Sequence, residues 1–242
     1  MQERKLEMKP EMEQIAKKLD TILQEMDYVK VQEIPGIDLY MDQVTTFMEE
    51  HLKKTARHPE TDKILTKTMI NNYAKSELLL PPVKKKYNMD HMLLLLWIYY
   101  LKSFLSIGDI QQILGPVKEH FTEEGRELAL QAQKKKKPEK SQDKKEQIAE
   151  QEEETWIPKY TLPDVYDVVM KDVSRQIERI REEVKRQVKT AADSFKDAPD
   201  KEQALLQRFD LICEMSAEVY IKKMLIEQLV DELSAEDEIV QK

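Results

Sequence analysis

Only four glycines occur in 242 residues (Gly36, Gly108, Gly115 and Gly125), so the chain has few places to reverse direction tightly. A many-turned β fold needs such residues, so a mostly α protein is expected. The charged fraction of 36% suits long solvated helices, and 40% hydrophobic residues suffice for a sizeable core. A formal charge of −8 argues against indiscriminate coating of a polyanion but leaves room for a local basic face. The lone Cys213 excludes an intrachain disulfide and fits a reducing compartment. Residues 1–27 are charged throughout, without the apolar centre of a secretion signal. The longest apolar run, Met92–Leu101, has ten residues, against roughly 20 for a helix that crosses a bilayer. A soluble, cytoplasmic protein is therefore expected.

Four stretches can be read along the chain: an N-terminal amphipathic helix (1–33), a helical unit (34–130), a charged flexible insertion (131–158) and a C-terminal helical pair (159–242). In the first, Met8, Met12, Ile15, Leu19, Ile22 and Met26 alternate spacings of four and three, a heptad seam that could dock on its own domain or pair between chains. Near Asp42–Lys54 a helix should bury Val44, Phe47, Met48 and Leu52. Residues 55–63 are polar and carry Pro59, and read as a loop or a new helix start. Lys134–Glu154 carries seven lysines and seven acids with almost nothing apolar to bury, so ordering it would cost entropy with no burial to offset it. Trp156-Ile157-Pro158 and Leu162-Pro163 then read as a docking strap.

Asp164 should cap a long helix whose narrow stripe runs Val165, Val169, Val173, Ile177, Ile180, Val184, Val188, Ala191 and Phe195. Pro199 breaks it. The last helix, about Lys201 to Leu233, has a wider apolar face including Leu205, Leu206, Phe209, Ile212, Cys213, Val219, Tyr220, Met224, Ile226, Leu229 and Leu233. Two readings stand for these helices: an intrachain hairpin, or the seam of a dimer.

The segment Leu65–Leu114 carries the functional signal. Met92–Leu101 is apolar on every side, as a central buried helix should be, with Asp90 placed to cap it. Ser106 and Asp109 have the spacing of a capping box for a following helix that buries Ile107, Ile110, Ile113 and Leu114, with Gly115-Pro116 as its stop. Thr66 can cap an earlier short helix whose inward residues are Leu65, Met69, Ile70 and Tyr73. That leaves Lys67, Thr68, Asn71, Asn72 and Lys75 facing outward. An Asn amide can donate to and accept from an adenine edge, and lysines supply charge for phosphates. Pro81-Pro82 ends this region, and Lys84, Lys85 and Lys86 follow on a turn before Tyr87. Residues 61–103 hold seven lysines against Asp62, Glu77 and Asp90, a local balance of +4. The bland alternative is a solvated face that happens to be rich in Lys and Asn.

Residues 65–114 resemble the MerR-like winged helix-turn-helix in several places: Thr66, Met69–Tyr73, Leu78-Leu79-Leu80-Pro81-Pro82, Lys84–Tyr87 and Ser106–Ile110. The fuller stretch from Ile37 is similar to a bacterial family of uncharacterised domains allied to MerR. The resemblance implies a MerR-like winged helix-turn-helix core over 34–130, with a recognition helix, a basic wing and a dimer formed through a long C-terminal helix. The chain departs from the pattern at Asn71, where the family usually places a phosphate-touching Arg. It also departs in a shortened wing and in the long connection 55–64.

A transcriptional regulator that binds double-stranded DNA is the first functional expectation. Lys67, Thr68, Asn71, Asn72 and Lys75 would lie in the major groove, and Lys84, Lys85 and Lys86 on the backbone or minor groove. The second is a protein-interaction module in which the fold no longer meets DNA. No enzyme is expected, nor any cofactor or metal: there is no Gly-rich phosphate loop and no CxxC, and His51, His58, His91 and His120 form no ligand spacing. Cys213, on an apolar face, is expected to pack.

Overall fold

The computed structural model describes residues 8–127 and 159–240. The chain divides into two compact units, Val29–Val168 and a second made of Met1–Tyr28 with Val169–Lys242. In chain order the elements are α1 (Pro10–Glu25), β1 (Leu39–Tyr40), α2 (Met41–Leu52), α3 (Lys67–Lys75), β2 (Lys86–Tyr87), α4 (Met89–Leu101), α5 (Ile107–Phe121), α6 (Leu162–Asp193) and α7 (Asp200–Val240). The protein is mostly helical, as its scarcity of glycine requires. No described helix is long and apolar enough to cross a membrane. The charged insertion at 131–158, with Trp156, lies outside the described residues.

In the 29–168 unit α4 is the centre. His91 through Ile98 are all buried, and the helix is apolar on every side because the core surrounds it. Each fully buried leucine in Leu93–Leu96 contributes roughly 1.5–3 kcal/mol relative to exposure. The same core takes in Val44, Phe47, Met48 and Leu52 of α2, Ile70 and Tyr73 of α3, and Leu78, Leu79 and Leu80. Ile110 and Leu114 join from α5, but Ile107 lies exposed, against expectation: it starts the helix and faces solvent. The opening of α6 belongs here too. Tyr166 is fully buried, its ring 5.3 Å from that of Trp97 and its hydroxyl donating to the Val29 carbonyl at 2.8 Å.

Three local signals resolve differently from expectation. Asn88, not Asp90, caps α4: its Oδ1 accepts from His91 N–H at 3.1 Å, because the helix starts as soon as the chain leaves β2. Helix α5 runs through Gly115-Pro116 to Phe121 rather than stopping there. A proline deters its predecessor from helix by clashing with that residue's Cβ, and Gly115 has none. At the start of α6, Thr161 and Asp164 share a capping box, with the Asp164 carboxylate accepting from Thr161 N–H at 2.9 Å, so Asp164 is the third helical residue and not the cap.

The other unit packs α1, α6 and α7 together. Its core holds Met12, Val184, Val188, Ala191 and Leu211, with Met8, Ile15, Ala16, Leu19 and Leu23 packed against it. The α1 seam is thus followed for three turns and then drifts: Ile22 and Met26 are exposed and Leu23 takes the inward place. A straight helix of 3.6 residues per turn slips off a strict heptad. The Arg181 guanidinium donates to Asp20 at 2.7 Å and holds that carboxyl below its usual range. Gln207 Nε2 closes the α6–α7 turn on the carbonyls of Ala192 (2.8 Å) and Ser194 (3.1 Å).

The stripe read on α6 is only partly inward, since Val169, Ile180 and Phe195 are exposed. The apolar face read on α7 is reversed. Leu205, Phe209, Ile212, Val219, Tyr220, Met224, Leu229 and Leu233 are exposed, while Gln203, Gln207 and Leu211 face inward. Cys213 is exposed as well, and does not pack as expected.

Candidate nucleic-acid interface

Helix α3 is short and held from both ends. Thr66 Oγ1 accepts from the Met69 N–H at 3.2 Å, and the helix closes where Glu77 takes a positive φ of 59°. Lys118 Nζ donates to the Glu77 carbonyl at 2.6 Å, which ties α5 to that turn. Ile70 is fully buried and Tyr73 nearly so, and Met69 is half-buried beside them. Lys67, Thr68, Asn71, Asn72 and Lys75 are all exposed, on the opposite side. The face contains two amides, two ammonium groups and a hydroxyl, and no carboxylate of its own.

The second basic element is a hairpin. β1 and β2 pair antiparallel, Leu39 with Tyr87 and Tyr40 with Lys86. Val83 and Lys86 exchange both backbone hydrogen bonds, at 3.1 and 2.9 Å. Between them Lys84 and Lys85 have φ of 51° and 65°. Two consecutive left-handed residues make a two-residue turn of the kind that Asn-Gly normally fills. Holding lysines there costs roughly 1–2 kcal/mol each, from Cβ crowding. Both α3 and the hairpin strand pack on α2.

A polar cluster supports the base of the hairpin. His91 is fully buried, with Nε2 3.3 Å from the Pro81 carbonyl oxygen and Nδ1 2.6 Å from Asn88 Oδ1. Burial holds its pKa below the ordinary value. Asn88 Nδ2 donates to Glu124 at 3.0 Å. Asp90, next to this group, is pushed up to about 6, first by desolvation and then by the nearby charges of Glu124 and Glu123.

Two residues modify the expected set. Asp42, at the start of α2, forms an ion pair with Lys67, so the first lysine of α3 is partly neutralised. Lys86 is half-buried in β2, with its ammonium 5.5 Å from the centre of the Tyr40 ring, and is less available than Lys84 and Lys85. Neither Asp42 nor Tyr40 could be placed from sequence, because both contacts cross between elements. Among the described residues no group of three or more His, Cys, Asp or Glu side chains gathers as metal ligands would.

Residues 29–135 match the model of a family described as a domain of unknown function, DUF1836. No curated protein and no solved structure matches the chain. The DUF1836 match takes in α2, α3, the hairpin, α4 and α5, and so contains every residue of the candidate interface. It names a family and carries no activity.

Proposed function

We propose that the 29–168 unit is a MerR-like winged helix-turn-helix that binds double-stranded DNA, and that the protein acts in the cytoplasm as a dimeric transcriptional regulator. This reading rests on one observation: the whole polar face of α3 is exposed and free of its own carboxylates, while the same helix is anchored by a fully buried Ile70. Such a face can enter a major groove without the protein rearranging. Asn71 and Asn72 would read base edges, Lys67, Thr68 and Lys75 the phosphates beside them, and the hairpin tip the neighbouring backbone.

The dimer is supported by the outward row on α7. Leu205, Phe209, Ile212, Val219 and Tyr220 are more than half exposed. Phe209 and Tyr220 alone offer on the order of 250 Å² of the roughly 800 Å² per partner that a stable interface buries. Towards the end of that row Lys222 pairs with Glu218 and Lys223 with Glu227 within α7. A two-fold pair would address half-sites about 34 Å apart or a multiple of that.

A second reading, a module that binds protein through the same fold, draws support from the Asp42–Lys67 pair, which lowers the charge of the α3 face. Selection of duplexes from a random pool separates the two. The DNA reading expects an enriched motif whose base preference relaxes in Asn71→Ala and Asn72→Ala at particular positions, by about 1–3 kcal/mol for each bidentate amide–base pair removed. A pool without enrichment at low salt would leave the module reading.

A further inference from the structure

One cleft of the 29–168 unit shares no lining residue with the candidate interface. It has a volume of about 500 Å³ and is lined by the loop Thr55–Arg57, by Asp62–Ile64, and by Tyr99, Tyr100, Lys102 and Ser103. That volume falls within the range of small-molecule sites. Three cations, Arg57, Lys63 and Lys102, face one carboxylate, Asp62, so the lining carries a formal +2 in a chain of −8.

The hydrogen-bonding capacity left in the cleft is lopsided. Asp62 already accepts from His58 N–H at 2.9 Å and so pins the 58–61 turn. The Thr55 hydroxyl donates to Leu52 O at 2.7 Å, so the Tyr99 hydroxyl, 2.8 Å away, must donate its own proton to Thr55. The Ser103 hydroxyl donates to the Tyr100 carbonyl at 2.9 Å. What remains is weighted towards donors: Asp62 keeps one carboxylate oxygen and the hydroxyls keep lone pairs, against the cationic N–H groups of Arg57, Lys63 and Lys102. Lys102 gives one N–H to the Ile64 carbonyl at 3.0 Å and lies 4.8 Å from the centre of the Tyr99 ring, leaving two N–H groups for another acceptor. Among the described residues neither Arg57, Lys63 nor Lys102 has a carboxylate within ion-pair distance. Lys102 is half-buried, and desolvation lowers its pKa, as expected of a cation taken from water without a counter-ion. A cluster of this kind is completed by an acceptor-rich anion.

We propose that this cleft binds a small organic dianion, either a phosphate monoester or a compact dicarboxylate, with Lys102 and Arg57 as its principal donors and Lys63 at the rim. Such binding is independent of DNA binding. The test is an amide chemical-shift titration of the full chain with inorganic phosphate and, separately, succinate, at constant ionic strength. Saturable shifts are expected at residues 55–64 and 99–103, and the tighter of the two probes identifies the source of the charge. Arg57→Gln with Lys63→Gln, both at positions that the core does not need, should weaken binding about tenfold or more, the scale of one charge-assisted hydrogen bond. Lys102→Met should do the same. If Lys102→Met fails to fold, the Arg57 and Lys63 pair decides alone. Shifts confined to 67–75 and 83–86, shifts that never saturate, or a double variant that binds as tightly as the parent would overturn the proposal. So would a double variant that loses duplex affinity while keeping its phosphate shifts, since the cations would then serve the polymer.

Discussion

Replacing Lys84-Lys85 by Asn-Gly should make the protein more stable and a poorer ligand for DNA. Both lysines sit at positive φ, 51° and 65°, in a two-residue turn that suits Asn-Gly. Glycine at position 85 relieves Cβ crowding of roughly 1–2 kcal/mol, Asn at 84 is tolerated through its local side-chain hydrogen bonding, and the added freedom of glycine in the unfolded chain offsets about 0.4–1 kcal/mol. The net gain is about 1 kcal/mol, or a melting temperature about 2–4 °C higher for a domain of this size. Each lysine that meets a phosphate contributes about 0.9 to the slope of log affinity against log salt, so the variant should lose about 1.8 of that slope per bound chain. Calorimetry and fluorescence anisotropy across a salt series read the two effects separately. A melting temperature that falls would refute the strain argument. A higher melting temperature with an unchanged salt slope would remove the hairpin from the interface.

Asp90→Asn tests the polar cluster beneath the hairpin. Because the folded pKa of Asp90 is raised to about 6, its stabilising contribution is full below the unfolded value and is lost as pH rises through about 6. The variant should therefore exceed the parent in stability at pH 8, by about 1 kcal/mol after allowance for partial solvent exposure, and match it near pH 4; equal stability at both ends would refute the desolvation argument. The buried His91 opposes this trend, since a depressed pKa costs stability as pH falls below about 6.5, so the comparison is between the two melting curves at each pH. Gly125→Ala would place a Cβ 2.2 Å from the Lys118 carbonyl oxygen, a backbone atom that cannot step aside. A loss of roughly 2–4 kcal/mol in denaturant unfolding is expected. Phe209→Glu should shift the mass in light scattering from dimer to monomer with helical content unchanged; a dimer that persists would place the seam elsewhere.

What could be read from sequence was what is decided locally. Thr66, three residues before Met69, specifies its own cap, and the outward set from Lys67 to Lys75 follows from helical period once Ile70 and Tyr73 are assigned inward. The Ser106–Asp109 box formed as spaced. Where two local signals competed, the backbone around them chose: Asn88 displaces Asp90 as the cap because β2 ends at Tyr87, and Gly115 lets Pro116 sit inside α5. Periodicity also has no sign. It shows that α7 has an apolar side, but Gln203, Gln207 and Leu211 turn inward and that side faces solvent. The Asp42–Lys67 pair and the cationic cleft join residues 25 or more positions apart, which no window along the chain brings together.

If the amide and lysine face of α3 meets DNA together with the hairpin tip, amide shifts of the labelled protein should reveal it on titration with the duplex enriched from a random pool. Perturbations concentrated at residues 67–75 and 83–86 are expected. Perturbations confined to residues 205–220, or none at any salt concentration, would show that DNA does not dock there.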